Sequence, residues 1–321
     1  MATKKATSAA GKAPAKKKPT TTKKVVAKKT SNKAVSAKKV EKKTLIDQMP
    51  APSALIGEFL GTFALAGAFI ALFSGGTEGR IGIAIALIVI TVVFGVISRS
   101  HFNPAVTIAL WANRKFGGLK TILYVVAQVL GAVLAWFVLK ALFDATFETS
   151  LIASLMSQGV DQAMIDEAGG LLEFAKANGF DTLNALAQRI GVAGFIDIQT
   201  PIIDKEALLV FFSELIGAIV FGLSAGYAFL KKNKALVKAL VLGFGLFAGL
   251  IVGGGATVLN PAVAASLGAF AWGDVNAILW PIVIYVIAPV GGVVIGVTAY
   301  RFLLKDSGNC GCGDEECECK A

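Results

Sequence analysis

Six long runs of apolar residues constrain what this chain can fold into more than any other feature of its sequence. They are residues 55–73, 81–98, 119–143, 208–230, 235–253 and 278–304. The runs are 18 to 27 residues long. A helix needs about twenty residues to cross a hydrocarbon layer of roughly 30 Å. The sequence therefore predicts an all-α membrane protein with six transmembrane helices.

The positive charge of the chain is confined to its N-terminal arm. The formal net charge is +10, but residues 1–43 contain fifteen Lys and one Glu, so the remainder carries about −4. The arm has no aromatic residue and too little apolar surface to fold. We predict a disordered cytoplasmic arm over residues 1–48 that contacts anionic lipid or sets membrane orientation, because basic clusters beside a membrane helix are attracted to anionic headgroups. Nucleic-acid binding is the less favoured alternative.

The apolar region is an internal duplication. Asn103 begins the sequence NPAVTIAL, and Asn260 begins NPAVAASL 157 residues later. Glu58 in the first apolar run and Glu214 in the fourth are 156 residues apart. Three full spans separate the two Asn-Pro motifs, and this odd number inverts the second half in the membrane. The predicted bounds are residues 49–305 for the membrane domain, 53–143 for repeat one, 144–206 for a long connection and 207–305 for repeat two.

Each Asn-Pro motif is followed by an apolar piece of only eight to ten residues, at 104–111 and 261–270. Asn is a favoured N-cap residue and Pro fits the first helical position, so the motif begins a helix. At about 1.5 Å per residue, each piece crosses about half of a bilayer. Irregular backbone at that depth requires surrounding protein or a water-filled cavity. We predict two re-entrant half-helices whose N-termini meet at such a cavity.

Two facing helix N-termini favour a cavity that conducts neutral solutes. Each N-terminus carries roughly half a positive charge, which opposes cations and protons. The side-chain amides of Asn103 and Asn260 would donate hydrogen bonds to a passing oxygen, while apolar walls hold no solute tightly. The sequence contains no Gly-rich phosphate loop or nucleophile elbow. We therefore predict conduction rather than catalysis.

These features resemble the major intrinsic protein family, the aquaporins and glycerol facilitators, over about residues 53–304. The shared features are SHFNPAVT with Asn103, Pro104 and Ala105, the second motif of Asn260, Pro261 and Ala262, the membrane Glu of each half, AQVLGA in the third run and PVGG in the sixth. The resemblance implies a homotetramer with one pore per subunit. It also implies that Glu58 and Glu214 hold the re-entrant segments through backbone hydrogen bonds.

The sequence departs from the family pattern after the second motif, where the family usually has Arg. Val263 occupies that position. By motif spacing, the other three residues of the family's narrow outer constriction are Ile83, Ala248 and Thr257. These four residues predict a wide and nearly uncharged selectivity filter. Ala264 stands where glycerol-conducting members generally have Asp, so the chain departs from both well-known subgroups.

Several residues permit more than one role. His101, the only histidine, is predicted to line the pore, with a structural role as the alternative; a metal site there is disfavoured because no second histidine exists. Glu58 and Glu214 are predicted to support the fold, with a proton relay as the alternative. Close helix packing is predicted at glycines four residues apart. These pairs are Gly57 and Gly61, Gly222 and Gly226, Gly245 and Gly249, and Gly292 and Gly296.

The distribution of charge among the connections predicts the orientation. Residues 144–206 hold ten acidic residues and three basic ones, whereas basic stretches at 113–115 and 231–234 fall on the predicted face of the Lys arm. The positive-inside rule then places both termini in the cytoplasm, in a plasma membrane or cell inner membrane. The long connection is extracellular. We expect a solvent-exposed insertion, with a short surface helix over residues 161–177 that covers the outer mouth as the alternative.

The C-terminal tail, residues 306–321, contains all four cysteines of the chain. These are Cys310, Cys312, Cys317 and Cys319. Disulfides are disfavoured in a reducing cytoplasm. Two Cys-x-Cys pairs predict binding of zinc or monovalent copper. A solvated tail without metal is the alternative, because the spacing is not that of a usual zinc finger.

The sequence as a whole predicts a passive channel for water and small neutral solutes such as glycerol, without a cofactor. A nonconducting membrane scaffold or adhesion protein of the same fold is the alternative, and the two intact Asn residues argue against it. An ion channel is a third hypothesis because the filter lacks Arg. The pore, however, offers a cation no ring of carboxylates.

Overall fold

The computed structural model describes residues 49–192, 205–255, 257–270 and 275–306. The regular elements in these ranges are all helical. The predicted lysine arm and the four cysteines of the predicted metal site lie outside the described residues. The predictions made for them therefore remain predictions.

Twelve α-helices occupy the described part of the chain. They are α1 Pro52–Leu72, α2 Gly76–Phe94, α3 Pro104–Ala112, α4 Gly118–Ser157, α5 Gln162–Glu167, α6 Leu171–Ala177, α7 Leu183–Ile190, α8 Lys205–Leu230, α9 Ala235–Gly253, α10 Pro261–Ser266, α11 Val275–Ile282 and α12 Ala288–Asp306. A 3₁₀ turn, Phe73–Gly75, joins α1 to α2, and a π-helical segment, Val283–Ile287, joins α11 to α12.

Five helical stretches of the described residues are long and apolar enough to cross a membrane. They are Pro52–Phe94, Gly118–Ser157, Lys205–Leu230, Ala235–Gly253 and Leu279–Leu304. The first stretch contains both α1 and α2. These two helices are antiparallel, since the start of α1 lies beside the end of α2: a Cβ built on Gly57 would be 2.9 Å from the Cβ of Ser98. The chain is an all-helical membrane protein.

Glycines let the long helices approach closely, as their spacing predicted. A Cβ built on Gly222 in α8 would be 3.1 Å from the Cα of Gly296 in α12. A Cβ at Gly245 in α9 would collide with Ser224 of α8, and one at Gly131 in α4 would collide with the backbone of α1. Larger side chains at these positions would push the helices apart.

The structure shows that the predicted insertion after the third apolar run is helical over residues 144–192. α4 continues past Phe143 to Ser157, and three short helices follow it. Apolar side chains of α4 to α7 form a small core of their own. Its buried members include Leu151, Leu155, Ile165, Leu171, Phe174 and Leu186. Residues 144–192 therefore form a helical unit, because apolar residues recur at helical spacing within this otherwise polar segment.

The single helix considered over residues 161–177 is corrected. Two helices, α5 and α6, occupy that range. Gly169 and Gly170 separate them with φ angles of 89° and 112°, a conformation that few residues other than glycine adopt.

The second short helix is shorter than predicted. α10 ends at Ser266, whereas the apolar pattern extends to Phe270. Gly268 has a φ angle of 76°, and the Ala269 N–H donates to the Ala264 carbonyl oxygen over 3.1 Å. This pattern terminates a helix at a left-handed glycine. α3 runs one residue beyond the predicted Trp111.

Candidate pore centre

The structure brings the two Asn-Pro-Ala motifs together through reciprocal hydrogen bonds. Asn103 Nδ2 donates to the Leu259 carbonyl oxygen, and Asn260 Nδ2 donates to the Phe102 carbonyl oxygen, each over 2.9 Å. The N-termini of α3 and α10 therefore face each other. Each short helix is joined to the chain of the opposite half.

Each Asn also caps its own helix. The Asn103 Oδ1 accepts from the Ala105 N–H at 2.8 Å, and the Asn260 Oδ1 accepts from the Ala262 N–H at 3.1 Å. Pro104 and Pro261 occupy the first helical positions. This is the capping arrangement that the sequence predicts, because an extended Asn leaves its side chain free to accept from the first turn.

Glu58 of α1 holds the backbone that enters the first motif. Its carboxylate accepts from the His101 N–H at 3.0 Å and from the Phe102 N–H at 2.7 Å. Gln128 of α4 donates to the same carboxylate over 2.8 Å. Glu58 has no exposed surface. These three hydrogen bonds compensate for the loss of hydration that burial of a carboxylate entails.

Glu214 of α8 makes the equivalent contacts with the second motif. Its carboxylate accepts from the Val258 N–H at 2.6 Å and from the Leu259 N–H at 2.9 Å. It too has no exposed surface. The duplication seen in the sequence is therefore also a duplication of one carboxylate-to-backbone clamp.

The residue before each Asn has a strained backbone. Phe102 and Leu259 have φ angles of 47° and 61°, in the left-handed region. Residues other than glycine pay about 1–3 kcal/mol for such a conformation. The carboxylates of Glu58 and Glu214 offset this cost by binding the N–H groups of the two strained residues.

Two glycines make room for these strained residues. Gly61 and Gly217 each lie three residues after the membrane Glu of their half. A Cβ at Gly61 would collide with the Phe102 ring, and one at Gly217 would be 2.9 Å from Leu259 Cδ2. Gly61 was predicted to be a helix-packing residue, and no role was predicted for Gly217. The repeated Glu-x-x-Gly spacing is the signal that could have identified this role.

A small cavity lies where the two motifs meet. Its volume is about 10 Å³, close to the lower limit for holding one water molecule. Its polar lining comes from His101, Asn103 and Asn260. Its apolar lining comes from α1, α2, α8 and α9, through Leu65, Phe69, Leu87, Phe221 and Leu246.

His101 combines a buried position with one unpartnered nitrogen. It is 3% exposed, and its Nδ1 lies 3.1 Å from Thr107 Oγ1. Among the described residues, its Nε2 has no hydrogen-bond partner. The rings of Phe116, Tyr124 and Phe229 surround it, with centroid distances of 4.9, 5.3 and 5.1 Å. The imidazole is thus fixed at the edge of the cavity with one polar atom unused.

The four predicted filter residues do not line this cavity. Ile83, Thr257 and Val263 are buried, and Ala248 is partly exposed. Thr257 Oγ1 donates to the Gly254 carbonyl oxygen over 2.8 Å.

A charged residue that the sequence analysis passed over lies near two of these filter positions. Arg80 of α2 donates from Nη2 to the Gly255 carbonyl oxygen over 3.0 Å. It precedes Ile83 by three residues, and Gly255 precedes Thr257 by two. Nothing in the sequence pattern indicates a contact between residues 175 positions apart.

Two further cations lie beside the aromatic rings around His101. Lys238 Nζ donates to the Arg99 carbonyl oxygen over 2.6 Å and lies 4.3 Å from the centre of the Phe229 ring. The Arg99 guanidinium lies 5.7 Å from the centre of the Phe116 ring. These cations add positive charge on the side of the cavity where α2 ends and α9 begins.

Comparison with known proteins agrees with this geometry. The family described as Major intrinsic protein matches residues 54–174. Aquaporin Z of Photorhabdus laumondii is 44% identical over 78 residues, which are 21% of this chain and 34% of that protein. The glycerol uptake facilitator protein-like 6 of Lactiplantibacillus plantarum is 29% identical over 225 residues, which are 70% of this chain and 84% of that protein.

The solved structures extend the similarity to the second half. The X-ray structure of the aquaglyceroporin from Plasmodium falciparum matches with a TM-score of 0.50 and 22% identity. The match covers 78% of this chain and 94% of that chain, and at this identity it concerns the fold alone. Both matches are to families of membrane channels. The chain is similar to the major intrinsic protein family over residues 54–174 and shares its fold with a solved aquaglyceroporin.

Proposed function

We propose that the chain forms a pore for water and small neutral solutes, glycerol included, with six membrane crossings and two re-entrant half-helices. The observation that carries this proposal is the pair of reciprocal hydrogen bonds made by Asn103 and Asn260. These bonds hold the N-termini of α3 and α10 against each other at one cavity. Positive helix ends that converge on a narrow passage disfavour cations and protons. Uncharged solutes do not meet this electrostatic cost.

The Asn amides would select solutes with hydrogen-bond acceptors. Each amide nitrogen carries two N–H groups. One of them is used by the bond to the opposite half, at Leu259 or Phe102. The second N–H of Asn103 and of Asn260 is available to an oxygen in the cavity. His101 also lines the cavity, although its unpartnered Nε2 is itself buried.

Apolar walls keep these contacts weak enough for passage. Five of the eight residues that line the cavity are Leu or Phe. A solute therefore exchanges part of its hydration for hydrogen bonds to the two Asn amides and gains little further polar contact. This arrangement favours transit over retention.

The membrane carboxylates are supports rather than a proton relay in this proposal. Glu58 and Glu214 do not belong to the cavity lining, and both accept two backbone N–H groups. A carboxylate committed to the backbone cannot rotate to pass a proton without releasing a strained segment. Their role is to shape the two loops.

We also propose an orientation and an assembly. Both termini are cytoplasmic, so the α1–α2 turn and the helical unit of residues 144–192 lie at the outer mouth. The outward-facing side chains of the long helices, such as Val89, Phe137 and Phe244, are more than half exposed and suit contact with lipid or neighbouring subunits. A homotetramer is the assembly that the resemblance to the family implies. The arm of residues 1–48 contacts anionic lipid, and the four tail cysteines bind zinc or monovalent copper.

Reconstituted flux tests the proposal. Stopped-flow light scattering of proteoliposomes would compare water, glycerol and urea for the wild type and for Asn103→Leu/Asn260→Leu. We expect the wild type to exceed empty liposomes for water and at least one other solute, and the double variant to approach the empty rate. A folded wild-type protein with no flux above empty liposomes would instead support the nonconducting scaffold.

A further inference from the structure

The contact of Arg80 with Gly255 joins the first half of the chain to the loop of the second motif. Arg80 lies near the α1–α2 turn, since Gly82, two residues later, packs against Leu72 at the end of α1. The donor is Nη2 and the acceptor is the Gly255 carbonyl oxygen, 3.0 Å away. Gly255 stands in the connection between α9 and Asn260. The guanidinium therefore reaches the outer end of the loop that carries the second motif.

The loop presents this carbonyl oxygen because of two left-handed glycines. Gly254 and Gly255 have φ angles of 66° and 42°. The Gly254 oxygen accepts from the N–H and the hydroxyl of Thr257, at 3.2 and 2.8 Å. Two neighbouring carbonyl oxygens thus have different partners, one on Thr257 and the other on Arg80. Thr257 is one of the predicted filter residues, so both contacts lie on the loop that carries this position.

The positive charge of Arg80 is not neutralised within the described residues. Its side chain is partly buried, and no described carboxylate lies within ion-pair distance. An arginine stays charged at any physiological pH and has five N–H groups. One described bond leaves donors that a solute oxygen can use.

We propose that Arg80 is the selectivity-determining residue of the outer mouth, where it supplies the fixed positive charge and the hydrogen-bond donors that Val263 lacks. The inference rests on the proposed channel function. It replaces the uncharged filter that the four predicted residues indicated. The mouth rejects cations through Arg80 and favours solutes that carry hydroxyl or carbonyl oxygens.

The test compares Arg80→Gln with a matched variant in the same protein. Arg189→Gln removes an equal charge from exposed α7, in the helical unit that the proposed topology puts at the same mouth. Full-length protein in proteoliposomes would be measured for potassium leak with a voltage-sensitive dye and for the glycerol-to-water flux ratio. We expect Arg80→Gln to raise potassium leak about tenfold, the change for roughly 1.4 kcal/mol of lost repulsion. Its flux ratio should also shift, while Arg189→Gln behaves as the wild type.

Arg80→Lys distinguishes the role of the positive charge from that of the planar array of hydrogen-bond donors. It should exclude potassium as the wild type does but change the glycerol-to-water ratio, because a lysine lacks the planar array of donors. This variant also provides the test if Arg80→Gln does not fold, and a tenfold potassium leak through folded Arg80→Lys would overturn the charge role.

The outcomes distinguish the inference from the function on which it rests. A wild type without neutral-solute flux removes the proposed function. A conducting wild type whose Arg80→Gln variant matches Arg189→Gln in both measurements removes only the role of Arg80.

Discussion

The two halves of this protein support the same motif in different surroundings. In the first half, Gln128 donates to Glu58 over 2.8 Å and to Thr107 over 2.9 Å, and Thr107 lies 3.1 Å from a ring nitrogen of His101. In the second half, the bonds described for Glu214 come from the backbone alone. The first clamp is part of a polar network, whereas the second relies on one carboxylate. The two halves thus share the hydrogen bonds from the carboxylate to the backbone, and the side-chain network is described in the first half alone.

The two halves should differ most in the stability that is lost when the membrane Glu of each half is replaced by Gln. Glu214→Gln leaves one acceptor oxygen for the two N–H groups of Val258 and Leu259, and the new amide donor meets a backbone donor. An unsatisfied buried N–H costs about 1–3 kcal/mol, so we expect about 3 kcal/mol of lost stability. In Glu58→Gln, rearrangement of Gln128 should compensate part of the cost. Thermal unfolding of the detergent-solubilised protein measures both.

Equal losses for the two amide variants would show that the network around Glu58 gives no compensation. Gln128→Leu/Glu58→Gln is the control. If the network acts as described, this double variant should lose at least as much stability as Glu214→Gln.

The two halves should differ less in the stability that is lost when Gly61 or Gly217, the glycine beside each strained residue, is replaced by Ala. In Gly217→Ala the new methyl meets the Gly249 carbonyl oxygen at 2.6 Å, a backbone atom that cannot move aside. In Gly61→Ala it meets the Phe102 ring, a side chain that can tilt. Overpacking costs typically about 1–3 kcal/mol, and we expect Gly217→Ala near the upper end. The midpoint of thermal unfolding measures this, with Gly117→Ala as control because nothing lies within 4 Å of its Cβ.

A greater loss in Gly61→Ala than in Gly217→Ala would contradict this ranking. It would show that Phe102 cannot tilt without breaking the bond between its carbonyl oxygen and Asn260.

The smallest expected effect is at the residue after each motif. Val106 and Val263 are both fully buried. An arginine at position 263 would lie in the first turn of α10, the helix that follows the loop of Thr257. In the proposed channel its long side chain should narrow the outer mouth. We expect Val263→Arg to lower the glycerol-to-water flux ratio about fivefold, or ~1 kcal/mol. Val106→Arg, in the half whose short helix points to the other mouth, should leave the outer mouth unchanged and serves as the control.

Protein that elutes as the wild type but keeps its glycerol-to-water ratio would show that position 263 does not limit solute size. Equal changes in Val263→Arg and Val106→Arg would remove the distinction between the two mouths.

Much of the fold was predictable because its signals are local. Runs of about twenty apolar residues follow from the thickness of a bilayer, and Asn-Pro begins a helix through contacts within three residues. The structure confirms helices over the predicted runs and at both motifs. The continuation of α4 to Ser157 was missed because polar residues there interrupt the apolar pattern while still allowing a helix.

The sequence by itself determined the membrane class, the duplication and the convergence of two short helices, since hydrophobic length and capping chemistry are written in neighbouring residues. Only the tertiary structure decided which backbone is strained and which carbonyl oxygen the Arg80 guanidinium contacts. The left-handed conformation of Phe102 depends on a carboxylate 44 residues away, and the Arg80 contact joins positions 175 residues apart. Neither Phe102 nor Arg80 has a local pattern that marks it, because their partners are brought close only by the packing of the two halves.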